Sequence, residues 1–489
     1  MSDDASKSAA DEFLADLRRN VGATGTPQVA RDPVNGATIR NWCDAMSETN
    51  AYFTDPDAAA AGPHGGLVAP PAMLNAWTMP GLRAGRRPGR DPRDPNAGVY
   101  GKLDAAGFVS VVATNSEHVY RRYLRPGDHL TGTQKLVDVS AEKKTGLGIG
   151  HFVTTETEFH DQHGEHVGSL FFRILKFRPG TGRGKPEDPR RAKLLEMRLD
   201  ADTILAEGSR PKRPRPKYND DQAFFWEGLR QGELRIQRFS DDGTLMHPPA
   251  NANPRTGSFE FDWAVASGRA TLYSYAIPHY PKVPSFDYPL IVGLVELEEG
   301  VRLVTNIVGC TPDQLRIGMP LQVGFVDTDD DVTLHQFHPA NVDRETTTRS
   351  FESVDEGDEL PLCAIPLDPL LIVSTALATR DFQDVHHDRD AAVKKGSKDI
   401  FMNILTTSGL CNRWIGDWAG DDATFKNLKI QLGAPNYPYD IMTMSGTVTG
   451  KRTEGDEGIV ELGFVGRNSL GSHVTGAAEL ALPRNGADR

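Results

Sequence analysis

The stretch LATRDFQDVHHDRDAA, residues 377–392, places several aspartates and two adjacent histidines between apolar segments. Within it, Asp381 and His386 are too far apart for one face of a strand, but a loop can fold both side chains toward one cavity. A carboxylate and an imidazole that share one water can take a proton from it and return a proton to a substrate. The stretch therefore indicates a proton-transfer site, with a solvated turn as the alternative. A zinc site would need a third ligand, and no cysteine or H-E-x-x-H spacing supplies one.

The same series of features occurs twice in the chain, which is typical of a repeated fold. Each copy begins with a D/E-x-N/Q trio and continues with a glycine, an apolar helical run and strand-like segments that end in a G-x-H-V turn. The first copy contains SETNAYF, GGLVAPPAMLNAW and HGEHVGSLFF, and the second contains RDFQDVH, KGSKDIFMNILTTSGL and LGSHVTGAAEL. The pattern predicts, in each copy, a curved antiparallel sheet wrapped on one long central helix.

Three blocks are predicted, near residues 10–180, 218–338 and 355–485. Residues 181–217 are rich in Pro, Gly and basic residues around one short helical stretch, and are interpreted as a linker. The middle block has short strand candidates separated by turn residues, such as RATLYSYAIPHY and YPLIVGLVELEEG, which predict a small all-β barrel. The order does not suit a parallel α/β sheet, so an α+β fold class is expected.

Composition excludes several classes of partner. The net charge is −13, from 54 Lys plus Arg against 67 Asp plus Glu, which argues against a nucleic-acid backbone as ligand. The acidic start MSDDASKSAADEF does not look like a secretory signal, and no apolar run is long enough to span a membrane. The expectation is a cytoplasmic protein. Its four cysteines lie far apart and suggest neither disulfides nor a thiolate metal site.

The segment TRDFQDVH, residues 379–386, resembles the S/T-G-D-x-N-P-I/V-H motif of the MaoC-like, or type 2, enoyl-CoA hydratases. This resemblance implies that Asp381 and His386 activate the water. The segment departs from the motif at Arg380, Gln383 and Asp384, where the family usually has Gly, Asn and Pro.

Longer segments look like the steroid enoyl-CoA hydratases of cholesterol side-chain degradation. VSTALATRDFQDVHHDRD and VGRNSLGSHVT resemble their small subunit, whereas GLVAPPAMLNAWTMPGL, FFWEGLRQGELRIQR and GTLMHPP resemble their large subunit. The resemblance implies two hot-dog domains, a double hot dog, with an intervening OB-fold domain, all in one chain.

An enolate formed during hydration needs hydrogen-bond donors, which a helix N-terminus offers. The central helix of the second copy is expected to start after Gly396, with Ser397 or Asp399 as its cap. The resemblance assigns the donor to the backbone N–H of Asn403, where the family more often has glycine, and places Met402 at the substrate.

The first copy is expected to be catalytically silent. Glu48 stands where the motif has its aspartate, and Phe53, which cannot transfer a proton, stands where it has its histidine. Pro70 and Pro71 remove two backbone donors near the start of the helical run. This half is expected to shape a groove for a bulky acyl group.

The middle block resembles OB-fold proteins that carry a zinc ribbon, but Phe239, Asp242, Asn253 and Thr256 stand where the cysteines would be. No metal is therefore expected. In the related enzymes this domain docks a thiolase-like aldolase, which implies the same partner here; a simple spacer is the alternative.

The function expected is hydration of a steroid side-chain enoyl-CoA of the pregnadiene-carboxyl-CoA type, with the CoA thioester as substrate and no cofactor. The alternatives are an aldolase scaffold without hydratase activity and a fatty enoyl-CoA hydratase. A homodimer is expected.

Overall fold

The computed structural model describes residues 3–82, 96–182, 211–216, 220–286, 288–328, 332–341 and 348–484. The predicted linker and its helical stretch fall almost wholly outside these ranges. The chain divides into two compact units: one combines residues 1–184 with 342–361 and 365–489, and the other consists of 185–341 with 362–364. We call them the hot-dog unit and the barrel unit.

The α-helices of the described residues are α1 Asp3–Arg18, α2 Gly36–Met46, α3 Ala51–Thr54, α4 Pro56–Ala61, α5 Ala97–Ala105, α6 Ala223–Arg230, α7 Pro369–Ala378, α8 Arg389–Lys394 and α9 Ile404–Ala419. The strands of the first copy are β1 Gln28–Val29, β2 Ser110–Tyr120, β3 Thr131–Val139, β4 Lys143–Lys144, β5 Ile149–His160 and β6 His166–Arg178. The middle block contains β7 Arg235–Phe239, β8 Leu245–Met246, β9 Phe261–Val265, β10 Arg269–Ala276, β11 Val292–Leu297, β12 Arg302–Ile307, β13 Pro320–Thr328 and β14 Val332–Pro339. The second copy contributes β15 Glu359–Leu367, β16 Thr424–Leu432, β17 Asp440–Glu454, β18 Glu457–Asn468 and β19 Gly471–Leu482.

Both sequence copies contribute to one sheet in the hot-dog unit. Its strand order is β1-β3-β5-β6-β2-β16-β19-β18-β17-β15, with β4 paired to β5. The two copies meet where β2 pairs antiparallel with β16, from Asn115 opposite Gln431 to Val119 opposite Asn427. The predicted double hot dog is confirmed.

Equivalent hydrogen bonds relate the two copies residue by residue. The bond from Gly127 N–H to Val34 O in the first copy matches the bond from Tyr439 N–H to Leu367 O in the second. In the same way, the bond from Ala69 N–H to Leu124 O matches the bond from Met402 N–H to Asn436 O. Both Gly127 and Tyr439 adopt a left-handed φ, of 99° and 66°. Counting back along β2 and β16 from these bonds makes Glu117 the equivalent of Lys429.

The predicted central helix forms in the second copy as α9, which is buried along nearly its whole length. It packs closely on α2 of the first copy because Gly409 has no side chain: a Cβ there would lie 2.9 Å from Cζ2 of Trp42. The Arg413 guanidinium also donates to Met46 O at the end of α2 (2.8 Å). Helices of the two copies therefore share one core.

The corresponding helix predicted for the first copy is wrong. Its apolar run forms two short 3₁₀ turns, Pro71–Met73 and Ala76–Thr78. Met79 leaves the helical region with ψ of 133°, because the ring of the following Pro80 disfavours a helical conformation for the residue before it.

The barrel unit contains the predicted all-β barrel. Five strands close in the order β10-β11-β12-β14-β13, around a core that includes Leu272, Val295, Leu303 and Phe337. A separate three-stranded sheet has the order β8-β7-β9. The α+β class with an intervening OB-fold barrel is confirmed.

None of the helices in the described ranges is long and apolar enough to cross a membrane.

Candidate active site

Helix α7 ends in a Schellman motif directly before Asp381. The Asp381 N–H donates to Ala376 O (2.9 Å) and the Arg380 N–H to Leu377 O (3.0 Å), which satisfies carbonyls of the last turn. Arg380 takes the left-handed position of this motif, with φ of 59°, where glycine is usual. The sharp turn at Arg380 starts the loop that carries both predicted proton-transfer residues.

The structure brings Asp381 and His386 together. Oδ2 of Asp381 lies 3.5 Å from Nε2 of His386. The other ring nitrogen, Nδ1, is 2.6 Å from the Phe401 carbonyl oxygen. Because a carbonyl oxygen only accepts, Nδ1 carries the proton and donates, and in a neutral ring Nε2 is then an acceptor.

Burial favours the neutral ring. Only 5% of His386 is exposed, and this burial lowers its pKa below the ordinary value, although the Asp381 carboxylate and the Phe401 carbonyl act in the opposite direction. The pair thus consists of two acceptors, a carboxylate oxygen and an imidazole nitrogen, facing each other. A water molecule, which has two protons to donate, complements this arrangement.

Asn403 is the cap of α9, which corrects the expectation that Ser397 or Asp399 caps this helix. Its side-chain Oδ1 accepts from Thr406 N–H (2.6 Å), whereas Ser397 and Asp399 lie in the irregular segment before the helix. Asn403 itself is extended (φ −81°, ψ 163°) and α9 begins at the next residue, so Ser397 and Asp399 lie too early in the chain to cap it. The backbone N–H of Asn403 has no hydrogen-bond acceptor within the described residues.

Met402 is placed differently from Asn403. Its N–H donates to Asn436 O (3.0 Å), and its side chain is 2% exposed. The Met402 amide is therefore occupied, and a contact between Met402 and substrate stays a prediction.

Two residues without a role assigned from the sequence hold the site residues in place. Thr379 Oγ1 accepts from Nδ2 of Asn403 (3.0 Å) and donates to Thr375 O (2.8 Å). Phe401 supplies the carbonyl that orients His386. Thr379 stands at the S/T position of the motif, so a signal for it existed, whereas a backbone carbonyl leaves none.

The first copy folds its loop in the same way without the reactive groups. Three backbone hydrogen bonds recur in both copies. The bond from Glu48 N–H to Cys43 O matches the one from Asp381 to Ala376, and the bond from Ser47 N–H to Asp44 O matches the one from Arg380 to Leu377. The bond from Phe53 N–H to Asn50 O matches the one from His386 to Gln383. Glu48 and Phe53 therefore occupy the places of Asp381 and His386. By the same count, Pro70, which has no N–H, occupies the place of Asn403.

In the barrel unit, Asn253 and Thr256 stand at positions of zinc ribbon cysteines and form hydrogen bonds. Nδ2 of Asn253, a residue 2% exposed, donates to Asp241 Oδ1 (3.1 Å) and Asp242 Oδ1 (2.9 Å). The Thr256 hydroxyl donates to the other oxygen of Asp241, and Phe239 is buried in the core. That the protein binds no zinc stays a prediction.

The double hot dog, with a carboxylate and an imidazole on the loop after a helix, defines a MaoC-like hydratase or dehydratase. Family models agree: one for a FAS1-like, dehydratase domain region matches residues 21–170, and one for the ChsH2, C-terminal OB-fold domain matches residues 263–326. A solved MaoC-like dehydratase covers 96% of this chain and 100% of its own, with a TM-score of 0.50 and 16% identity, which shows a shared fold.

Proteins of similar sequence show to which family within this class the chain belongs. A "Probable enoyl-CoA hydratase alpha subunit" of Thermomonospora curvata is 40% identical over 335 residues, 68% of this chain and 97% of the relative. The chain therefore belongs to the MaoC-like enoyl-CoA hydratase family. It is also similar to both subunits of the 3-oxo-4,17-pregnadiene-20-carboxyl-CoA hydratase of Mycobacterium tuberculosis. The alpha subunit is 41% identical over 62% of this chain and 90% of the subunit, and the beta subunit is 54% identical over 26% of this chain and 95% of the subunit.

Proposed function

We propose that this chain adds water across the α,β double bond of an enoyl-CoA thioester, with Asp381 and His386 as the proton-transfer pair. One observation carries the proposal: the two groups face each other as acceptors 3.5 Å apart, with the imidazole fixed by Phe401. A water molecule donating to both has its oxygen lone pairs free for the substrate.

The reaction follows from this arrangement. The water oxygen bonds to the β-carbon while Nε2 of His386 takes one proton, and the electrons of the double bond move to the thioester oxygen. The Asp381 carboxylate stabilises the imidazolium that forms. The imidazolium then returns the proton to the α-carbon, so that H and OH have been added and the site is restored.

The enolate oxygen formed in the first step requires a donor, and the Asn403 N–H at the start of α9 is available for it. The positive end of the helix dipole favours negative charge there. One preorganised donor of this kind contributes on the order of 3 kcal/mol to lowering the barrier.

The acyl group that we propose is a steroid side chain of the pregnadiene-carboxyl type. Its support is the similarity to both subunits of the mycobacterial hydratase of that name. The short 3₁₀ turns in place of a long helix in the first copy are consistent with a bulky acyl group.

A panel of CoA thioesters tests this function: a pregnadiene-carboxyl-CoA, a medium-chain enoyl-CoA and crotonyl-CoA. We expect kcat/KM to be highest for the steroid thioester. Preference for a straight chain would make the protein a fatty enoyl-CoA hydratase, and no hydration of any thioester would leave the scaffold role.

For the barrel unit we propose docking of a thiolase-like aldolase that takes the β-hydroxy product. Strand β9 lies at the outer side of its three-stranded sheet and exposes Trp263 and Val265, 44% and 56% exposed, near Phe259 at 72%. Unpaired strand edges with apolar side chains are suited to contact with another protein.

Pull-down of the aldolase with the full-length chain tests docking. We expect Trp263→Asp combined with Val265→Asp to abolish the complex while hydration continues. An unchanged complex would exclude this surface.

A further inference from the structure

Two arginines, one from each sequence copy, converge at Gly81 in the hot-dog unit. A Cβ at Gly81 would lie 3.1 Å from Nη1 of Arg31 and 3.7 Å from Nη2 of Arg380. The two nitrogens are therefore no further apart than the sum of these distances. Gly81 has no side chain, so the space between the cations stays open.

Neither guanidinium has a counter-ion within the described ranges of the chain. No ion pair or hydrogen bond involves the side chain of Arg31 or Arg380 there, whereas Arg122 and Arg452 of the same unit each contact three carboxylates. Two neighbouring cations repel each other, and an anion between them removes this repulsion. Arginine is suited to phosphate because its N–H groups bind two oxygens at once.

The backbone of Arg380 adds a second observation. Its φ of 59° lies in the left-handed region, where a non-glycine residue is strained and glycine is not. A glycine would form the same turn without strain, so the arginine side chain has a reason other than the fold. Arg380 immediately precedes Asp381, and both Arg31 and Arg380 are accessible to solvent.

We propose that Arg31 and Arg380 bind the phosphate groups of the coenzyme A part of the substrate. The proposal rests on the proposed function, since it assigns the polar end of the same thioester. The flexible pantetheine arm joins the phosphates to the reacting carbon, so the arginines hold the substrate at the surface beside the proton-transfer loop. They act in binding and take no part in proton transfer.

Substrates with and without the nucleotide test the proposal. Hydration of an enoyl-CoA is compared with hydration of the enoyl-pantetheine carrying the same acyl group, in the full-length chain and in Arg31→Gln, Arg380→Gly and the double variant. Each single change should raise KM for the CoA thioester roughly tenfold with kcat little changed. KM for the pantetheine thioester should stay at its wild-type value. Equal changes in KM for both thioesters, or none for the CoA thioester, would overturn the proposal.

Measurements of CoA binding test this proposal independently of the hydration reaction. Calorimetric titration with free CoA should show roughly tenfold weaker binding in each single variant, whether or not the protein hydrates anything. Arg389→Gln is the matched control, because Arg389 is a highly exposed arginine of α8 that already lies near Asp399 (3.5 Å). Wild-type affinity for CoA in the Arg31 and Arg380 variants, or no CoA binding by the wild type, contradicts the assignment. Titration with 3′-dephospho-CoA then distinguishes the 3′-phosphate from the diphosphate.

Discussion

Glu117 and Lys429 occupy equivalent positions in the two sequence copies and pair with each other across the seam of the sheet, the line where β2 pairs with β16. They lie directly opposite in the register of β2 and β16, with Oε2 and Nζ 2.8 Å apart. The approximate two-fold relation between the copies passes through this pair. Two first copies, or two second copies, paired in the same way would place like charges opposite each other. The opposite charges of Glu117 and Lys429 therefore favour pairing of a first copy with a second copy.

Reversing one charge of this pair should weaken the seam. Lys429→Glu sets two carboxylates opposite each other, and we expect a loss of about 0.5–1 kcal/mol in the free energy of unfolding, because the pair is partly exposed. Urea titration measures the loss. Adding Glu117→Lys should restore most of it; a double variant no more stable than the single one would show that the pair does not couple.

Removal of either proton-transfer group should abolish turnover. We expect Asp381→Asn and His386→Ala each to lose at least about 100-fold in kcat, since neither variant can share the proton of the water. Stopped assays of product formation measure the rates, and circular dichroism checks the fold. Glu48→Gln, at the equivalent place in the first copy, is the control and should retain wild-type kcat. Near wild-type hydration by either active-loop variant would refute the assignment.

The rate should fall in acid. In the proposed reaction the neutral form of His386 takes the proton of water, and burial lowers its pKa below the ordinary 6.5. The value of kcat/KM should therefore be level near neutral pH and decline as pH falls through this lowered pKa, where the ring becomes charged and cannot accept. A pH–rate profile with its acid limb centred above 6.5 would contradict the neutral imidazole.

Two substitutions at position 403 should distinguish the effect of the backbone N–H on kcat from the effect of the side-chain cap. Asn403→Gly and Asn403→Pro both remove the cap, but only proline removes the N–H, and its ring is compatible with the φ of −81° found there. We expect kcat to fall about 100-fold further in Asn403→Pro than in Asn403→Gly. Pro70 at the equivalent place of the first copy shows that the fold accommodates proline. Equal kcat in the two variants would exclude the N–H as oxyanion donor.

The hydrogen bonds of Asn253 should stabilise the ribbon region in place of zinc. Asn253→Ala removes the donor that the two carboxylates share, and a lower midpoint of thermal unfolding is expected. Thermal unfolding with and without a chelator should give the same midpoint in the wild type. One zinc per chain by elemental analysis would overturn this interpretation.

The repeat and its active loop could be predicted from the sequence because their signals are local. The loop that carries Asp381 and His386 lies within a few residues of a helix end, and its counterpart carries the same spacing with Glu48 and Phe53. Such spacing survives in the sequence whatever the rest of the chain does. The barrel was predictable for a similar reason, since short alternating strands are separated by turn residues.

Other features depend on conformation that the sequence expresses weakly. The sequence does not select the cap of α9, because Ser397, Asp399 and Asn403 are all good capping residues and only the path of the backbone decides among them. The apolar run of the first copy indicates a longer helix than the one that forms, because Pro80 ends the helical conformation. The convergence of Arg31 with Arg380 joins positions far apart in the chain, and no local pattern contains it.

The seam between β2 and β16 has a consequence for how the protein responds to dilution. In the mycobacterial relative the similar sequences are named as alpha and beta subunits. Here both sides of the seam belong to one polypeptide, and their encounter is intramolecular. Dilution should therefore leave the two halves of the double hot dog associated, and the two halves are necessarily produced in equal number.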